Sequence, residues 1–118
     1  MYTFNLQQLA TFKENAPSVQ VIAQSGHARH ILFSLRAGQG LREHRTSSQI
    51  SVQLLSGQLD FTAQDKTETL TPGQLLLLEA DIPHALPAQT DAVMLLIMTP
   101  DPQRQTLEKE LFGKIRPF

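Results

Sequence analysis

Residues 38–57 read GQGLREHRTSSQISVQLLSG, and residues 73–88 read GQLLLLEADIPHALPA. Each stretch opens on a glycine that permits a tight turn, Gly38 or Gly73, and carries a single histidine, His44 or His84. Between them Leu59, Phe61 and Ala63 alternate with Gln58, Asp60, Thr62 and Gln64, the period of a strand with one apolar and one wet face. The bend Thr71-Pro72-Gly73 closes this part, and the interval Gln58–Pro72 is short enough for one hairpin.

The same rhythm extends outward. Strand-forming segments are expected at Ser18–Gln24, Arg29–Ala37, Ile50–Ser56, Gln58–Gln64, Gln74–Glu79 and Ala92–Thr99, with turn signals between them. This predicts an all-β sandwich or barrel. Leu75–Leu78 and Ala92–Met98 are apolar on both faces, so they need a second cover, either a terminal segment or a partner subunit; a homodimer is expected. Asn5 and Gln8 mark a short helix over Leu6 and Leu9, and Gln103–Phe112 places Leu107, Leu111 and Phe112 at helical spacing. Residues 1–118 are therefore expected to form one domain, with a docking segment over 1–17, a barrel over 18–99 and a helical tail over 100–118.

Gly38, five residues and then His44, followed by Gly57, and later Gly73 with His84 eleven residues on, resemble the two conserved motifs of the cupins. The family patterns are G-x5-H-x-H-x3,4-E-x6-G and G-x5-P-x-G-x2-H-x3-N, and the match spans Leu35–Ala88. The resemblance implies a double-stranded β-helix, or jelly-roll, with short terminal helices, and a barrel that holds a divalent transition metal through three imidazoles and a carboxylate. In this sequence Thr46 stands at the second histidine position and Ile50 at the glutamate, while Glu79, Asp81 and Ala88 replace the proline, glycine and asparagine of the second motif. Only His44 and His84 carry over as metal ligands, and protein metal sites usually have at least three.

Gln49, Gln53, His27 and His30 are further candidate ligands, although amide oxygen suits a transition metal poorly. His27 and His30 lie three apart, so strand parity turns at most one of them inward. Arg36, Arg42 and Arg45, with Arg29 nearby, make the first motif locally basic; an arginine fork at the barrel mouth would favour an anion. Glu79 and Asp81 precede His84 and either cap a turn or serve as proton acceptors.

Apolar residues make up 41% and charged residues 18% of the chain, an ordinary globular balance, and the net charge of -1 offers no field to hold a nucleic-acid backbone. The absence of cysteine removes disulfides and thiolate chemistry. No signal-like start and no membrane-length apolar run are visible, so a cytoplasmic location is expected. The leading expectation is a binding protein for a small polar, anionic molecule lined by His44, His84, Arg36, Arg42, Arg45 and Gln53. The alternatives are a metal-dependent enzyme of dioxygenase, isomerase or decarboxylase type, and a structural or regulatory dimer with a vestigial barrel.

Overall fold

The computed structural model describes residues 1–102. Nine strands run in chain order: β1 (Ser18–Gln24), β2 (Arg29–Leu35), β3 (Gly40–His44), β4 (Gln49–Ser56), β5 (Leu59–Ala63), β6 (Lys66–Leu70), β7 (Leu75–Leu78), β8 (His84–Pro87) and β9 (Ala92–Thr99). They form two antiparallel sheets, ordered β1-β2-β9-β4-β7 and β3-β8-β5-β6. This is the all-β architecture that the spacing of turns predicts, in the jelly-roll form that the family resemblance implies. The three strands absent from the sequence reading are short: β3 and β6 carry charged residues and β8 ends on Pro87, so none has an apolar run long enough to announce itself.

The core fills the space between the sheets. Ile31, Phe33 and Leu35 of β2, Ile50, Val52 and Leu54 of β4, and Met94 and Leu96 of β9 meet Leu59, Phe61 and Leu86 of the smaller sheet. Alternation then fixes what faces away. Gln49 and Gln53 are exposed between buried neighbours of β4, so Gln53 stands outside the barrel and does not line its interior, contrary to expectation. His30 sits next to inward Ile31 and therefore lies on the outer face, half-buried, while His27 is exposed in the β1–β2 turn.

The outer face of the five-stranded sheet is crossed by the amino-terminal segment, where α1 (Leu6–Leu9) starts on an Asn5 cap whose Oδ1 accepts from the Gln8 N–H at 3.0 Å. Farther along, the Thr11 N–H donates to Ser34 Oγ of β2 at 3.2 Å. This strap does not cover β7: Leu75 is 61% and Leu77 63% exposed, so the expected burial of both faces does not hold for that strand within one chain. The anticipated helix over Gln103–Phe112 lies outside the described residues. Among the described residues, no helix is long and apolar enough to cross a membrane.

Candidate functional site

β3 and β8 place His44 directly opposite His84, with the ring centroids 4.4 Å apart and the planes tilted by 60°. On the other side of β8, Phe61 of β5 stacks on the His84 ring at 5.4 Å with an interplanar angle of 12°. His84 is 2% exposed and His44 half-buried, so the pair spans from the barrel interior towards its rim. Phe61 was legible as an inward residue of β5, but its role beside His84 depends on strand order.

Both rings are held through Nδ1. His44 Nδ1 lies 2.7 Å from the Arg42 carbonyl and His84 Nδ1 lies 2.8 Å from the Ile82 carbonyl, each two residues back. A carbonyl only accepts, so each ring donates from a protonated Nδ1, and a neutral ring held this way has its lone pair on Nε2. His84 Nε2 is shielded from solvent and has no hydrogen-bond partner, the kind of buried polar atom that marks a binding position. Burial pushes the His84 pKa below its ordinary value; the bond to Ile82 opposes this, and the neighbouring His44 adds to the depression.

A neutral folded-state His84 makes stability depend on pH. Below about 6.5, where an unburied imidazole charges, the unfolded chain takes up a proton that the folded chain refuses. Stability is therefore complete above that value and falls as pH drops through the lowered folded-state value. Thermal melting of the wild type is expected to fall more steeply than that of His84→Gln in this acidic window; parallel profiles would contradict the burial described.

The loops at the site are tied together. Asp81 N–H donates to the Thr46 carbonyl at 2.8 Å, and the Thr46 hydroxyl donates to the Ser48 carbonyl at 2.9 Å. Asp81 has φ +64°, a left-handed conformation that aspartate tolerates better than most residues, and so takes the backbone place of the glycine in the motif. Glu79 and Asp81 are both exposed, and neither is bonded to His84.

The arginines divide. Arg36 is directed elsewhere: its guanidinium bonds Asp91 at 2.9 Å and Glu14 at 3.4 Å and lies 4.8 Å from the Phe12 ring centre. Its backbone joins the turn at the Gly40–Pro87 end of the β3–β8 pair, whereas His44 and His84 close the other end, so Arg36 is corrected from a ligand contact to a surface tether. The Ala37 N–H and then the Arg36 guanidinium hold the Asp91 carboxyl below its usual range. Arg42 and Arg45 flank His44, are exposed, and have no ion pair among the described residues.

Solved structures share this architecture. A cupin superfamily protein from Desulfitobacterium hafniense is 26% identical over 85% of this chain and 92% of its own, with a TM-score of 0.78. The chain is a small cupin-fold domain. A conserved protein of unknown function from Streptococcus pyogenes is 27% identical over 85% of this chain and 88% of its own, with a TM-score of 0.76. An RmlC-like cupin from Desulfovibrio desulfuricans is 23% identical over 85% and 97%, with a TM-score of 0.78, and shows the fold alone. No protein-family model matches the sequence, and no curated protein matches it significantly.

The fold raises the question of a barrel metal. The two Nδ1–carbonyl bonds orient the imidazoles as such bonds orient metal-binding histidines, but the donor set stops there. The Thr46 hydroxyl is spent on Ser48, Ile50 is 1% exposed where a carboxylate would stand, and no cluster of three histidine, cysteine, aspartate or glutamate side chains occurs among the described residues. Two imidazoles do not fit a resident metal.

Proposed function

We propose that this cupin binds a small polar molecule at the His44–His84 end of its barrel, through imidazole hydrogen bonds rather than through a metal. The observation that carries this reading is the buried, unpartnered Nε2 of His84 beside His44. A lone pair in that position calls for a donor, so the ligand presents a hydroxyl, amine or amide proton to it. An anionic group on the same molecule would meet Arg42 or Arg45, which lack carboxylate partners among the described residues and whose planar forks suit carboxylate or phosphate. The exposed Leu75 and Leu77 support a homodimer, since leucines so far from cover on one sheet face favour association.

Native mass spectrometry of the purified protein tests the site and the assembly together. A dimer mass is expected, with a co-purified small-molecule increment on each subunit that His84→Leu loses and Gln53→Ala keeps. A bare polypeptide in the wild type, a stoichiometric metal, or an increment indifferent to His84 would count against the reading.

A further inference from the structure

The atom that carries the binding reading is closed off. His84 is 2% exposed and its Nε2 is shielded from solvent, so no ligand reaches it while every neighbour stays in place. The ring stacked on it does not give way, because Phe61 is itself 2% exposed and belongs to the core between the sheets. The way in therefore lies among the segments that cap this end of the barrel, where β3 ends on His44 and β8 begins on His84.

Three such segments surround the pair, and two of them are firmly held. In residues 45–48, between β3 and β4, the Thr46 hydroxyl donates to the Ser48 carbonyl at 2.9 Å, and Ser48, 1% exposed, donates to the Pro100 carbonyl at 2.6 Å. The β5–β6 turn is a tight pair, Gln64 and Asp65, both at positive φ and closed by the pairing of Ala63 with Lys66. Residues 79–83, between β7 and β8, are held far less. Glu79, Ala80 and Asp81 are exposed. Apart from the local bond between the Ile82 carbonyl and His84 Nδ1, the tie of this segment to the barrel end is one backbone bond, from the Asp81 N–H to the Thr46 carbonyl at 2.8 Å. Asp81 makes that bond from φ +64°, a left-handed conformation that is strained for a residue with a Cβ. An exposed segment that sets a single hydrogen bond against backbone strain opens at far lower free energy than the whole domain.

We propose that residues 79–83 form a gate over His84, closed by the Asp81–Thr46 bond and opened when Asp81 leaves its left-handed conformation. Opening draws the Ile82 carbonyl off His84 Nδ1, frees the ring to turn and admits a ligand to the imidazole pair. The gate rests on the reading of His84 as the binding atom, but its test needs no ligand. Protein without a co-purified molecule would end that reading and leave the gate to be judged by the result below.

The probe is diethyl pyrocarbonate, which acylates unprotonated imidazole nitrogen, applied to the full-length protein slightly above neutral pH and followed at each histidine by peptide mass spectrometry. Exposed His27 serves as the internal reference. His84 is expected to react roughly ten- to a thousandfold more slowly than His27, the ratio set by an open state populated at about 0.1–10%. Asp81→Ala makes the left-handed backbone costlier and should speed His84 about three- to tenfold. Asp81→Gly removes the same carboxylate but adopts that conformation freely, so it should react no faster than the wild type, and Asp81→Asn should match the wild type. Melting profiles confirm that each variant folds. In low urea the His84 rate should climb much less steeply than global unfolding does, because the gate exposes little surface. The proposal is overturned if His84 reacts as fast as His27, stays unmodified, or follows the urea dependence of global unfolding. It is overturned equally if the alanine and glycine variants behave alike, or if the His84 rate rises on dilution, which would make a second copy the cover.

Discussion

Replacing Gly57 with alanine is expected to destabilise the protein by about 3–5 kcal/mol, enough to unfold much of a domain of ordinary marginal stability. Two independent faults combine at that position. Gly57 has φ +83°, a conformation that costs a residue with a Cβ about 1–2 kcal/mol. In addition, a Cβ there would stand 2.0 Å from the Asp91 carbonyl oxygen and 2.7 Å from Ala92 Cα, which are backbone atoms with no rotamer to give way. The turn after β4 must therefore move away from the start of β9, and the core residues Leu54 and Met94 move with it. Gly38 separates the two faults: its φ is +87°, but a Cβ would meet nothing within 4 Å. Urea unfolding should thus show Gly38→Ala losing only about 1–2 kcal/mol. Equal losses for the two variants would mean that the close approach of Gly57 to Asp91 is not as described.

Asp101→Ala is expected to cost about 2–4 kcal/mol, towards the lower part of the range for breaking a buried ion pair because Arg29 retains some access to water. Asp101 is 2% exposed and its Oδ1 lies 2.9 Å from the Arg29 guanidinium, whose side chain is 19% exposed. The contact joins the chain just beyond β9 to the start of β2, and Ser48 Oγ donates to the neighbouring Pro100 carbonyl at 2.6 Å. Most of the loss arises from leaving the Arg29 charge without its carboxylate, so removal of both partners should be milder than removal of one. The combination Arg29→Met with Asp101→Leu is therefore expected to recover more than half of the loss in thermal and urea unfolding. A double variant as unstable as the sum of the single ones would show that the two side chains act independently.

Much of the molecule was legible along the chain. The alternation Leu59, Phe61, Ala63 placed β5 and its inner face because a half-buried strand leaves its period in the sequence. The glycines gave the turns, since Gly38, Gly57 and Gly73 all adopt positive φ. Asn5 with Gln8 marked α1 because a cap bond is local, three residues from donor to acceptor. The assignments that failed depended on distant partners or on parity. Nothing near Arg36 announces Asp91, which is 55 positions away, and the pattern around Gln53 cannot say which side of a mostly apolar strand is the barrel.

The sequence by itself determined an all-β cupin framework and picked out His44 and His84, because turn chemistry, strand period and motif spacing are local properties of a chain. Only the tertiary structure decided what those histidines are to each other. Pairing of β3 with β8 sets the rings 4.4 Å apart, and packing against Phe61 removes water from His84. The backbone carbonyls of Arg42 and Ile82 hold both rings through Nδ1, and Thr46 and Ile50 supply no third ligand. Hydrogen bonding and desolvation act between residues far apart in the chain, so the character of the site, two adjoining imidazoles with a buried, unpartnered His84 Nε2, emerges only when the two sheets close.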